Sequence, residues 1–389
     1  MNLTYAQLLR GNRNFKHLLW GQIVSELGNW FNFIAVLGLI RLISAASPEA
    51  AGIFIVCRTL PFSLLMPFAG TLADRFSRRR IMIVTDVIRG FLALLFLFIN
   101  GAEDLWLVYF GTILISTGSA FFEAGKNAAT PNIAGKDGLF AGTALMFSSR
   151  FLLMAIGSAL GGAAAAIFGY KAAFVINALS FLFSAYSVWL IPEEAMFENK
   201  SENGIIAAAQ KPTFFTELKE GLFYFWREPF VMTIVLMNII WATGGGAINI
   251  VFERMGGVYF AAKEGWNPDL AVSLLWVASG IGLTIGMLIA HRVEGFIALR
   301  KIKSPFIGWS LIVHGFVFSL VGLMPNLWLV LFFTLVSRLI VGVEYAVQET
   351  MFQRALPDYI RGRVSTIDRG AEITMFSLSG YLAGISIYQ

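Results

Sequence analysis

The chain reads as a succession of apolar runs, each about the roughly 20 residues a membrane-crossing helix needs, separated by short polar turns. Apolar windows fall near 17–43, 50–72, 81–99, 105–123, 141–166 and 172–191, and they resume near 228–252, 268–290, 304–323, 327–350 and 367–388. Eleven spans are expected, six before and five after a polar stretch from Pro192 to about Arg227. The first run is too long for a signal-peptide core and lacks a small-residue cleavage pattern, so it is expected to remain as a span. Two sets of spans around a linker predict an all-α membrane protein built from two similar six-helix halves. The expected divisions are an N-terminal bundle over 1–191, a cytoplasmic linker over 192–227 and a C-terminal bundle over 228–389. The second half is one span short, so a twelfth helix is expected to be missing, by truncation or in a natural eleven-helix form.

Composition agrees with a membrane setting. Of 389 residues, 57% are hydrophobic and 14% charged, against about 25% charged in a soluble domain; mean hydropathy is +0.71. The net charge of +5 does not point to nucleic acid, because the 29 Lys and Arg are spread over the short segments between apolar runs. Arg10, Arg13, Lys16, Arg75, Arg78, Arg79, Arg80, Lys126, Lys136, Arg227, Arg292, Arg300, Lys301, Arg361 and Arg369, among others, fall on one side. The opposite side has only Lys171, Arg254 and Lys263. The positive-inside rule then places the amino terminus and the linker of this multi-pass protein in the cytoplasm. Within the linker, Phe214, Phe215, Leu218, Leu222 and Phe225 recur at helical spacing, which predicts an amphipathic helix along the membrane surface or leading into the seventh span.

Between the second and third spans stand Gly70, Asp74, Arg75, Ser77, Arg78, Arg79 and Arg80, in the order G-x-x-x-D-R-x-S-R-R-R. Asp74 is suited to accept from helix-terminal amides or to pair with nearby arginines, a latch between two bundles, with Asp86 and Arg89 of the third span as its neighbours. The segment resembles the loop motif G-x-x-x-D-R-x-G-R-R of the major facilitator superfamily, with Ser77 in place of the second glycine. Three further stretches resemble the branch of macrolide-efflux and enterobactin-exporter proteins. They are Arg58-Thr-Leu-Pro61, Glu220-Gly221 through Arg227-Glu-Pro229, and Pro357-Asp358 through Arg361-Gly362-Arg363-Val364. Gly157, Gly161 and Gly162 in the fifth span are similar to the small-residue motif of exporters in that superfamily, with Ser158 at the usual proline position. The resemblance implies a major facilitator fold and export of drugs, macrolides, siderophores or related metabolites.

Charges at bilayer depth cost at least about 2.5 kcal/mol each, so they are expected to face a cavity or one another. Glu26 shares a helical face with Asn29, Trp30 and Phe33 and is the expected proton carrier or substrate contact; a structural ion pair with Arg58 or Arg150 is the alternative. Arg58, Arg150, Arg338 and Glu344 complete the expected proton and substrate site. The deep set holds four arginines (Arg58, Arg89, Arg150, Arg338) against three acids (Glu26, Asp86, Glu344), a balance that favours anionic or hydrogen-bond-rich amphipathic cargo.

Other chemistry has no support in the residues. His17, His291 and His314 lie in different segments without metal-ligand spacing, and the single cysteine, Cys57, is inside an apolar run. No G-x-x-x-x-G-K-[ST] pattern occurs, so neither ATP nor any cofactor is expected, and ion-gradient coupling follows by elimination. The expectation is a monomeric, non-enzymatic secondary transporter that exports a small amphipathic molecule by proton antiport, in contact with membrane lipids. A lysophospholipid-flipping transporter and a non-transporting remnant are the alternatives.

Overall fold

The structure, a computed structural model, describes residues 3–197, 214–299 and 303–387. Among these residues every regular element is helical. After a short α1 (Tyr5–Gly11), the first half comprises α2 (Arg13–Ile43), α3 (Pro48–Arg75), α4 (Arg78–Leu95), α5 (Leu105–Phe168) and α6 (Tyr170–Trp189). The second half comprises α7 (Phe214–Arg227), α8 (Pro229–Phe252), α9 (Pro268–Leu299), α10 (Lys303–Val321), α11 (Leu327–Ala355) and α12 (Asp358–Ser386). A π-helical stretch, Glu253–Phe260, and one more turn, Ala261–Glu264, prolong α8.

Polar residues at the turns set the helix starts. Asn12 caps α2 by accepting from the Phe15 amide at 2.8 Å, and its own amide reaches the Ile133 carbonyl at 2.6 Å. Ser47 accepts from Ala50 N at 3.2 Å, with Pro48 at the first helical position of α3, where a missing N–H is harmless. Ser77, the residue in place of the motif glycine, has φ −59° and accepts from Arg80 N at 3.2 Å, so it serves as the N-cap of α4. No left-handed backbone is needed there, and serine is the better cap.

The polar turn expected between the fourth and fifth spans is instead helix. α5 runs from Leu105 to Phe168 and is broken only at Gly135, whose φ of 71° and ψ of 166° suit a residue without a Cβ. Lys126 therefore does not lie in a turn; it is 5% exposed inside the first bundle. Arg369 likewise falls within α12, which begins at Asp358, nine residues before the window that marked it. In both cases the helix extends beyond the apolar window, past 123 in α5 and back to Asp358 in α12.

Nine of the described helical segments are long and apolar enough to cross a membrane, α5 supplying two of them, Ala102–Leu139 and Ala141–Phe168. The other two expected spans correspond to α10, whose apolar part is the shorter Pro305–Val321, and to α12, which is interrupted by charged residues. Helix α7 is not a detached surface element, because Phe225 is buried with Val231, Phe352, Leu356, Ile360 and Val364 of the second half. Glu220 also pairs with Arg363. The linker residues 198–213 lie outside the described residues.

The two halves meet along two seams, α3 against α12 and the second part of α5 against α9. Both seams are made by small residues. A Cβ on Gly52 would stand 3.2–3.3 Å from the backbone of Gly380, Tyr381 and Gly384, and one on Gly280 would stand 2.7–2.9 Å from Ala155. Within the second bundle, a methyl on Gly246 would run into the carbonyl of Phe376 and the amide of Gly380, where backbone has nowhere to retreat. Gly246→Ala should therefore destabilise the protein by about 1–3 kcal/mol. Scanning fluorimetry of the purified protein in detergent would record this as a lowered Tm, and an unchanged Tm would contradict the contact.

Candidate functional site

A cavity of about 410 Å3 lies between the halves, in the range of small-molecule sites. Its walls are aromatic and aliphatic, and Arg58, Arg150, Arg338, Arg369 and Glu372 are the charged residues among them. At one end Trp30, Phe33 and Phe54 of the first half interlock with Phe252 and Trp276 of the second. Phe33 and Trp276 are 5.4 Å apart edge to face, Trp30 and Trp276 5.4 Å, and Phe252 and Trp276 5.2 Å.

Beyond this aromatic plug, toward the arginine-poor end, a charge cluster ties the halves together. Arg41, at the end of α2, pairs with Glu253 at 2.5 Å and with Asp269 at the start of α9. Tyr170 of α6 donates to Asp269 at 3.1 Å. All three charged side chains are nearly buried, at 11%, 7% and 9% exposure. Glycine makes the room: a Cβ on Gly257 would press on the Arg41 guanidinium, and one on Gly38 would meet Asp269 and Tyr170. Arg254 adds a bond to the Ala46 carbonyl at 3.0 Å. The arginine-poor end is thus sealed. The other end is not, since Arg150 and Arg369 line the cavity with side chains 44% and 42% exposed.

The expected site residues distribute as follows. Glu26 faces Arg150 at 3.5 Å and accepts from Asn29 at 2.9 Å. Arg150 also meets Glu123 at 3.2 Å, which in turn holds Lys126 at 2.6 Å, so a chain of four charges runs through the first bundle. It borders a second, more polar cavity of about 190 Å3 that shares Phe147 and Arg150 with the first. Arg58 and Arg338 line the central cavity. Glu344 does not. It is 4% exposed, has one unpartnered carboxylate oxygen, and borders a small void beside Asn238, Gln348 and Glu372.

The latch residues make mostly local contacts. Arg78 donates to the carbonyls of Ala128 at 2.9 Å and Met196 at 2.8 Å, and Arg79 donates to that of Trp189 at 2.5 Å, the C-terminal end of α6. Such carbonyls carry the negative end of a helix dipole. Arg75 is exposed, a Cβ on Gly70 would meet nothing, and the side chain of Asp74 lies outside those described. Asp86 and Arg89 pair within α4, where Arg89 lies between the rings of Phe122 and Phe181 and donates to Ser119 at 3.0 Å. These contacts belong to the core of the first bundle. Of the three packing glycines, Gly157 and Gly161 receive Trp30 and Phe31 of α2, and Gly162 receives Ser273 and Asp269 across the seam.

Arg41, Glu123, Lys126, Arg369 and Glu372 carry parts of this geometry that the apolar pattern does not reveal. Arg41 falls within the first expected span, and the arginine-poor side offers few charges to pair with it. That scarcity was the available signal. Its partners lie 212 and 228 positions away, a separation no local pattern bridges.

A helical membrane protein whose two bundles enclose a drug-sized cavity, sealed at one end, is a membrane transporter. The chain belongs to the Major Facilitator Superfamily, whose family model matches residues 18–381. It is similar to the MFS-type transporter YfiS of Bacillus subtilis, 27% identical over 290 residues, a match covering 73% of this chain and 65% of YfiS. It is also similar to the putative bacilysin exporter BacE of Bacillus subtilis, 27% identical over 70% of this chain and 72% of that one. Macrolide efflux protein A of Enterococcus faecalis is 22% identical over 84% of this chain and 94% of its own. The fold matches a bacterial homologue of the human lysosomal transporter spinster in an inward-facing conformation, with TM-score 0.69 and 15% identity over 95% of this chain and 79% of that one. It also matches a D-xylose–proton symporter, with TM-score 0.68 and 14% identity over 94% and 88%.

Removing Arg41 leaves two nearly buried carboxylates facing each other, a loss of about 3–5 kcal/mol in the sealed arrangement. Arg41→Gln should therefore open the arginine-poor face. With Cys57→Ala as background and Ile55→Cys as the cavity-lining reporter, an impermeant maleimide added from that face should label the variant at least tenfold faster. Equal labelling would show that the cluster does not hold the seal.

Proposed function

We propose that this chain is an exporter of small amphipathic molecules that works by alternating access and is driven by proton antiport across a bacterial cytoplasmic membrane. One observation carries the reading: the central cavity is sealed toward the arginine-poor face and solvated toward the arginine-rich one. By the charge asymmetry the amino terminus and the solvated face are cytoplasmic, so the cavity is poised to take cargo from inside the cell. Two bodies, 1–191 and 228–389 joined by the linker 192–227, rock about the glycine seams. Arg41, Glu253 and Asp269 hold the present form. Gly70, Asp74, Arg75, Arg78 and Arg79 form the latch of the opposite one, with Asp86 and Arg89 bracing the helix behind them. The printed names of BacE and macrolide efflux protein A support export rather than import.

Glu26 is the proton carrier in this reading. It lies within reach of Arg150, which borders both the central cavity and the polar one beside it. Protonation of Glu26 from the opposite face frees Arg150 as cargo leaves there, and loss of that proton to the cytoplasm restores the pair as the next cargo enters, so that proton and cargo cross in opposite directions in one cycle. The site is completed by Asn29, Arg58 and Arg338, and the chain works as a monomer.

The test uses proteoliposomes loaded with a pH-reporting dye and a panel of macrolides, siderophores and hydrophobic dyes. At least one member should drive a proton flux opposite to its own. Glu26→Gln should abolish that flux by tenfold or more while leaving membrane insertion and Tm unchanged. A wild-type flux in Glu26→Gln would remove Glu26 from the mechanism, and silence of the wild-type protein toward the whole panel would overturn antiport.

A further inference from the structure

Two of the four guanidinium groups lining the central cavity are already compensated. Arg150 meets Glu26 at 3.5 Å and Glu123 at 3.2 Å, and Arg369 meets Glu372 at 3.1 Å and Glu349 at 4.0 Å. The other two stand differently. Among the described residues no carboxylate comes within 4.0 Å of Arg58 or Arg338, one on each bundle. Glu26 is close enough for Arg58 to feel its charge, but Glu26 already serves Arg150. Arg338 is only 8% exposed and its Nε has no partner.

What these two do have is aromatic. Arg58 lies 4.6 Å over the ring of Phe33 and Arg338 5.6 Å over that of Phe318. Such contacts return roughly 2 kcal/mol when desolvated, against the several kcal/mol that burying an ion effectively costs. An arginine does not escape by releasing its proton. Each bundle thus presents to the cavity a positive group with no carboxylate within 4.0 Å among the described residues.

We propose that the cargo is an amphipathic organic anion, its negative group received by Arg58 and Arg338 and its apolar body lying against Trp30, Phe33, Trp241 and Trp276. The proposal rests on the transport reading of the same cavity and narrows it. A carboxylate, sulfonate or phosphate matches the planar donor fork of arginine, which holds two oxygens at once. A cationic cargo meets two like charges with no described carboxylate within 4.0 Å of either. Because the two arginines belong to opposite bundles, the anion also supplies an ion pair between them, and its departure withdraws that tie.

The test is a binding measurement on purified protein in neutral maltoside detergent, with two probes of matched body and opposite charge, 1-pyrenebutyrate and 1-pyrenebutylamine. Trp30, Trp241 and Trp276 line the cavity, so energy transfer from tryptophan to pyrene reports occupancy. The anion should bind at least tenfold more tightly than the amine. Arg58→Gln and Arg338→Gln should each weaken anion binding tenfold or more with little effect on the amine. The variants Arg58→Lys and Arg338→Lys should recover part of the loss, which separates lost charge from lost fold, and Lys171→Gln at the exposed start of α6 should change nothing. Equal affinity for the two probes, or an anion preference that survives both glutamine variants, would overturn the proposal. Competition by oleoyl lysophosphatidylglycerol would identify a lipid head as the anion, and its failure to compete a soluble cargo. Because binding is read without a membrane, loss of the anion preference with antiport intact refutes this proposal alone. An anion preference without any antiport refutes only the coupling.

Discussion

A guanidinium buried beside two carboxylates is a commitment, because none of the three charges is stable there without the others. Arg41 sits in that position, contributed by the first bundle, while Glu253 and Asp269 come from the second. The shape of the molecule depends on it. With that end drawn together, Trp30 and Phe33 reach Trp276, the aromatic plug forms, and the space left on the other side of the plug becomes a cavity with a single solvated approach. The desolvation cost of the cluster is large, and its partners repay it only in the closed geometry. An arrangement of this kind is closer to a switch than to a glue.

Charge placement elsewhere obeys the same constraint. In the first bundle, Glu26, Arg150, Glu123 and Lys126 alternate in sign along a chain. Asp86 and Arg89 neutralise each other within one helix turn. In the second bundle Asp368 accepts from Asn238 at 2.9 and 3.2 Å, and Arg369 meets Glu372 and Glu349. Against this economy Arg58 and Arg338 stand out among the basic groups lining the cavity, because no described carboxylate lies within 4.0 Å of either.

The helices were legible in the sequence because membrane-length apolar runs admit little else, and the loop around Asp74 and Arg75 pointed to the right family. Boundaries were less legible. The window 105–123 stops short of Lys126, which reads as a turn residue although the helix around it continues and buries it, and α12 begins nine residues before its window. Gly135 interrupts α5 without a polar loop, which no hydropathy pattern anticipates. Arg58, Arg150 and Arg338 were visible as costly charges, but which of them already had a partner depended on Glu26, Glu123 and the spacing between helices. Arg41 was hidden for the same reason. Its partners are set by the packing of two bundles more than 200 residues apart in the chain.

The seams have one more implication. Where Gly52 faces Gly384 and Gly280 faces Ala155, backbone lies against backbone with few long side chains between. A joint of that kind behaves as a plain bearing: it resists separation through close contact but offers little friction to rotation, since there are few rotamers to reset along its length. If the bundles swing as proposed, the energy barrier to each stroke is concentrated at the ends, in the breaking of the Arg41 cluster on one face and its counterpart on the other. The activation enthalpy of turnover would then be governed by a handful of ions, and the long helices between would serve only as levers.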